Sequence, residues 1–99
     1  MSWQATTLAG NDNVATLLQP VAAGETVVVR TDAGEITVTA LEAIGLCHKI
    51  ALADLAPGLA VIKYGECIGE ATAPIRRGCW VHVHNLRSRR AQAAPGAPA

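Results

Sequence analysis

The chain has 99 residues, enough for one domain with a small core but not for a core plus a deep, enclosed active site, so a site shared with another chain is expected. Eight Lys and Arg balance eight Asp and Glu; Arg87, Arg89 and Arg90 crowd after the last predicted strand, leaving a mildly acidic body and no electrostatic footprint for nucleic acid. The start, Met1-Ser2-Trp3-Gln4, lacks a charged n-region and no segment reaches the roughly 18 apolar residues of a membrane span, so a soluble cytoplasmic protein with no membrane partner is expected.

In chain order, Asn11-Asp12-Asn13 supplies N-cap chemistry and Val14, Leu17 and Leu18 follow at helical spacing before Pro20 and Gly24. The pattern predicts a short helix over residues 12–19. Thr26-Val27-Val28-Val29-Arg30 and Glu35-Ile36-Thr37-Val38-Thr39 are rich in β-branched residues, and Thr31-Asp32-Ala33-Gly34 between them has hairpin-turn chemistry. Cys47-His48-Lys49-Ile50-Ala51-Leu52 and Ala60-Val61-Ile62-Lys63-Tyr64 read as further strands bridged by a turn at Ala56-Pro57-Gly58. Gly65 and Gly69 punctuate a short piece carrying Ile68, and Ala73-Pro74 leads through Ile75 to Arg76-Arg77-Gly78.

In Trp80-Val81-His82-Val83-His84-Asn85 two histidines alternate with two valines. As a strand, this segment buries Val81 and Val83 and places His82, His84 and Trp80 on the other face. Residues 1–86 are thus expected to form a small, mostly-β domain of short hairpins with one brief helix and no internal repeat. Residues 87–99, rich in Arg, Ala, Pro and Gly, are expected to be a disordered tail.

Adjacent imidazoles suit proton transfer, anion recognition or metal binding, although a closed metal site usually wants about four ligands and this pair offers two. Cys47, Cys67 and Cys79 are odd in number and lack Cys-x-x-Cys spacing, which argues against a disulfide framework and a zinc ribbon. Gly65, Gly69 and Gly78 are not spaced as a phosphate loop, so no nucleotide cofactor is implied, and no Gly-x-Ser-x-Gly nucleophile elbow is present.

The ordered series Asp12-Asn13-Val14-Ala15, His48-Lys49-Ile50-Ala51-Leu52, Val61-Ile62-Lys63-Tyr64-Gly65-Glu66, Ile68-Gly69-Glu70-Ala71-Thr72 and Trp80-Val81-His82-Val83-His84-Asn85 resembles the SAF domain of altronate and galactarate dehydratases. The same type of domain occurs as the small subunit of sulfolactate sulfo-lyase. The resemblance spans residues 8–86. It implies a β-clip fold of long, bent hairpins and a part in eliminating water, or sulfite, from a hydroxylated carboxylic acid. It also implies a much larger catalytic lyase region as partner, absent from this chain, which would make the chain a small subunit or an N-terminal domain. A divalent metal such as iron or manganese, shared with that partner, is a further implication. One departure stands out: the family usually places glycine directly before the His-Lys pair, where this chain has Cys47.

Elimination α to a carboxylate needs a base, a cationic group to hold the enediolate charge and an acid for the departing hydroxyl. The expected catalytic residues are His48, Lys49, Lys63, Tyr64, His82 and His84. The histidines serve as base or acid, with His82 and His84 also as metal ligands; the lysines pair with the substrate carboxylate; Tyr64 donates to a hydroxyl. Asp12 and Asn85 are expected to bind substrate hydroxyls or orient a histidine. Each has a structural alternative: solvated lysines, a strand-end tyrosine, a helix-capping Asp12, a core Trp80, a hydrogen-bonded structural His48.

Two function classes follow, with a purely structural assembly domain as a third. One is a lyase subunit contributing polar groups to a composite site; the other is a carbohydrate-binding or antifreeze-like module. The ionisable cluster favours the first, because a binding face is more often built from aromatics and amides, and only one Tyr, two Trp and no Phe are present. With 51% hydrophobic residues the isolated chain is also expected to self-associate or to dock its partner through exposed apolar surface.

Overall fold

The computed structural model describes residues 3–88. It holds nine strands among those residues: β1 Ala5–Thr6, β2 Val14–Leu17, β3 Thr26–Thr31, β4 Gly34–Thr39, β5 Lys49–Ala51, β6 Ala60–Lys63, β7 Glu66–Ala71, β8 Trp80–Val81 and β9 Leu86–Ser88. Six form one sheet in the order β4-β3-β1-β2-β5-β8, and β6-β7-β9 form a second. The expected mostly-β architecture of short wound hairpins is therefore present, and the β3–β4 hairpin pairs from Thr26↔Thr39 to Thr31↔Gly34 as the β-branched pattern requires.

The predicted helix over residues 12–19 is absent; its centre is strand β2, paired antiparallel with β1 and β5. Three-residue spacing puts side chains on one face of a helix but on opposite faces of a strand. Val14 enters the core cluster of Ala51, Leu55, Val61 and Val81, whereas Leu17 enters the other, with Val27, Val29 and Ile50. Leu18, the third residue of the apparent stripe, is 47% exposed. Asn13 fixes the choice by making strand-like bonds through its side chain: its Nδ2 donates to Ala60 O and its Oδ1 accepts from Ile62 N.

An internal repeat, not visible in the sequence, organises the chain. Four tight turns recur, closed by Glu25 N to Ala22 O, His48 N to Gly45 O, Leu59 N to Ala56 O and Cys79 N to Arg76 O. Each has positive φ at its third residue, namely Gly24, Cys47, Gly58 and Gly78, as a type II turn requires. The third-residue N–H of each turn donates across the fold, to Ala40, Leu17, Ala71 and Ala51 respectively, and the N–H of that same partner returns a bond to the turn's fourth residue. The aliphatic residues that precede the turns bridge in pairs, Val21 with Ile44 and Leu55 with Ile75. Each pair lies in a different core cluster, so the two halves of the repeat bury one core apiece.

Two boundaries differ from expectation. Strand β8 stops at Val81, and Val83, expected to be buried, is 79% exposed. At the other end β9 pairs with β7 through Ser88, so the expected domain end at residue 86 falls inside a strand; the rest of the predicted tail, residues 89–99, lies outside the described residues.

Candidate active site

Strand β8 gives way to a turn because Asn85 spends its amide on it. Its Oδ1 accepts from His82 N and its Nδ2 donates to Trp80 O, both at 2.9 Å, while Asn85 N donates to His82 O. The turn brings His82 and His84 back over the indole of Trp80. The His82 ring stacks on Trp80 at 5.2 Å between centroids and 12° between planes; His84 lies 4.9 Å from it, tilted by 45°.

His48, immediately before β5, comes to the same indole from another part of the chain. Trp80 Nε1 donates to His48 Nδ1 at 3.1 Å, and the His48 ring meets His82 edge-on at 5.0 Å. Because Nδ1 accepts a proton-bearing donor, the bond assigns His48 the neutral tautomer with its proton on Nε2. The alternation reading thus grouped Trp80, His82 and His84 correctly, but a turn rather than a strand face gathers them.

Three neighbours escaped the sequence reading. Glu42 Oε2 accepts from Trp80 N at 2.9 Å and anchors the strand that carries the indole. Gly45 lies beneath His48, where a Cβ would meet the ring's Cδ2 at 3.3 Å. Thr16, opposite Lys49 in the sheet, has a buried hydroxyl without a hydrogen-bond partner. None carries a local signal: Glu42 is 38 residues from its partner, and Gly45 and Thr16 have no distinguishing spacing.

The remaining predicted residues divide by location. Lys49 shares its sheet face with Thr16 and Val81, facing the opposite way from Ile50 and Trp80. Partial burial, and then the charge of nearby Lys63, hold the Lys49 ammonium below its ordinary value. Partial burial, followed by the positive neighbours His48, Lys49 and His84, likewise lowers His82, which favours its free-base form. Tyr64 and Gly65 form the β6–β7 turn, both with positive φ as a type I′ hairpin requires. The Lys63 ammonium sits 5.2 Å from the Tyr64 ring centroid.

Asp12 is neither helix cap nor free ligand. Its Oδ2 accepts from Leu8 N and Ala9 N, and its Oδ1 from Gly65 N. Burial alone would raise its carboxyl, but the backbone N–H groups of Ala9, Gly65, Leu8 and Tyr64 outweigh it and hold the group below its ordinary 3.8. Asp12 also lines a cleft of about 280 Å³ with Thr7, Asn13, Thr31 and Asp32. No imidazole lines that cleft.

The metal implied by the resemblance is one shared with a larger partner, to which this chain would bring His82 and His84. Among the described residues no group of three or more His, Cys, Asp or Glu side chains is disposed to hold an ion, and the one free lone pair of His48 is taken by Trp80. His82 and His84 alone do not make a metal centre. What the cluster brings together is three imidazoles on one indole, with Trp80 Nε1–H donating to His48 Nδ1.

A family model described as the altronate/galactarate dehydratase SAF domain matches residues 3–89. Altronate dehydratase of Escherichia coli (strain K12) is 46% identical over 77 residues, which cover 78% of this chain and 15% of that protein. The (2R)-sulfolactate sulfo-lyase subunit alpha of Chromohalobacter salexigens is 47% identical over 49 residues, 50% of this chain and 52% of that one. The subunit of the same name from Paracoccus pantotrophus is 40% identical over 63 residues, 64% of this chain and 94% of that protein. The chain thus spans a small part of the dehydratase and about half of the first sulfo-lyase subunit.

Proposed function

Since the chain belongs to the altronate/galactarate dehydratase SAF domain family, we propose that it is the small subunit or N-terminal module of a carbon–oxygen lyase that dehydrates a sugar acid, completing an active site with a larger catalytic partner. The observation that carries this assignment is the gathering of three imidazoles on one indole, from the turn before β5 and from the turn after β8. His82, held in its free-base form, takes the proton α to the carboxylate, and the electron pair of that C–H bond becomes the enediolate. The His48 Nε2–H donates a hydrogen bond to a substrate oxygen. The hydroxyl on the next carbon leaves as water with a proton from His84, exposed at the edge of the cluster.

One observation favours a second reading. The match to the Paracoccus sulfo-lyase subunit covers 94% of that protein, and a sulfo-lyase releasing sulfite instead of water would use the same α-proton abstraction. Three free thiols, Cys47, Cys67 and Cys79, suit the reducing cytoplasm for either. Leu41, Leu46 and Val83, all exposed and all close in sequence to the cluster or its anchors, are the surface the partner covers, since a site this open needs a second wall to exclude water.

The test is His82→Ala in the reconstituted two-component enzyme. Its kcat should fall roughly 100-fold or more, a typical loss for a positioned base, with an unchanged thermal melt of the small chain. A lowered melt with unaltered kinetics would mean that the imidazoles only pack.

A further inference from the structure

Two clefts, of about 280 and 270 Å³, meet where the loop before β2 faces the turn of the β3–β4 hairpin, and Thr7, Thr31 and Asp32 line both. Ala9, Ala33, Ile36 and Leu52 give the first an aliphatic wall, and Leu8 lines the second. Ile36 and Leu8 are among the few large apolar side chains left exposed. Together the clefts form a groove with room and apolar surface for an aliphatic stem.

The polar side chains decide what that stem carries. Asn13 has spent its amide on Ala60 O and Ile62 N, and both Asp12 oxygens accept from backbone N–H groups. The Thr31 hydroxyl donates to Gly34 O and accepts from Ala33 N. Two acceptors are left over. Thr7, the buried polar residue among those described, donates its hydroxyl proton to Arg30 O at 3.3 Å and keeps oxygen lone pairs in hand. The Asp32 carboxylate leans over Gly10, where a Cβ would lie 3.0 Å from its Oδ2. Among the described residues nothing donates to that carboxylate. Arg30 also lines the second cleft, but its guanidinium lies over the Trp3 ring, 4.5 Å from the centroid.

We infer that this groove docks a lysine or arginine side chain carried on a segment of a partner protein. The cationic head bonds to Asp32 and Thr7, and the methylenes of its stem lie along Ile36 and Leu52, as long basic side chains do on apolar surface. A protein segment fits better than a free amine, because the residues beside the basic one cover the exposed Leu8 and Ile36 at the rim. No imidazole lines either cleft, so the site is independent of the lyase assignment.

The experiment is an amide-NMR titration of the full chain with the capped tripeptides acetyl-Leu-Lys-Ala-amide and acetyl-Leu-Arg-Ala-amide at matched ionic strength. Two controls replace the basic residue, one by norleucine, which keeps the stem and loses the charge, and one by glutamate. At least one basic peptide should give saturable shifts in residues 7–12 and 31–36, with His48, His82 and His84 unmoved. Norleucine should bind roughly 10-fold more weakly, and glutamate should not saturate. Asp32→Asn should weaken the basic peptide roughly 10-fold, the loss expected for one charged hydrogen bond. Asp32 is exposed in a turn where asparagine is equally at home, and a well-dispersed spectrum verifies that the variant folds. Saturation by neither basic peptide, equal binding of the norleucine or glutamate peptide, or wild-type affinity in Asp32→Asn would overturn the site.

Discussion

Cys47 holds φ at +69° in a position where the three equivalent turns have glycine. A Cβ in that conformation costs about 1–2 kcal/mol, and the residue sits directly before His48. Cys47→Gly should therefore raise stability by about 0.5–1 kcal/mol net of the extra chain entropy glycine loses on folding, measured by urea denaturation. The four turns are not equally tolerant. A Cβ on Gly58 meets nothing within 4 Å, whereas one on Gly78 runs into the Thr39 carbonyl and the Leu41 side chain. Gly58→Ala should cost about 1 kcal/mol and Gly78→Ala about 3 kcal/mol, strain alone against strain plus collision. At His82 the sign of the pH dependence is set by partial burial and then by its positive neighbours. Its folded-state value lies below the ordinary 6.5, so kcat/KM of the complete enzyme should fall as pH drops through that lowered value and the base becomes protonated. Lys49→Gln removes one positive neighbour, which raises the His82 value, and the acidic limb of the pH–rate profile should move to higher pH; a limb that stays in place would detach Lys49 from His82.

At the scale of elements, Asp12 joins the loop before β2 to the β6–β7 turn. Asp12→Ala leaves three backbone N–H groups without their carboxylate and should cost about 2 kcal/mol. In the wild type this contribution is fully present above pH 3.8, the unfolded value, and is lost as pH falls through the lower folded value; the variant should show no such step in an acid-denaturation series. The same element shows why part of the fold was legible and part was not. The β3–β4 hairpin announced itself because nine of the twelve residues in Thr26–Thr31 and Gly34–Thr39 are β-branched, on either side of a short turn. Strand β2 did not, because Val14 and Leu17 serve two different cores and the spacing that results imitates a helix. The fourfold turn repeat was hidden by Cys47, which breaks the glycine pattern at one of four places, and by turn residues that share only an aliphatic residue ahead and a positive φ. His82 and His84 were found from their spacing, and Trp80 with them. His48 could be picked out as a residue type, but its bond to Trp80 spans 32 residues and depends on how β5 and β8 pair.

The described residues form a pair of small aliphatic cores under two sheets, with three imidazoles gathered on an open surface. No helix among the described residues is long and apolar enough to cross a membrane. The exposed Leu41, Leu46 and Val83 beside that surface predict that the isolated chain forms a dimer or larger species by light scattering, and that Val83→Lys reduces the association. An open, single-walled site predicts more: the chain should be catalytically silent until a larger lyase chain covers it. The direct measurement is release of water from a sugar acid by the rigorously purified chain, by its larger partner and by the two combined. Combined chains should turn over while each alone does not, and turnover by the small chain alone, or full activity of the larger chain without it, would contradict a composite site.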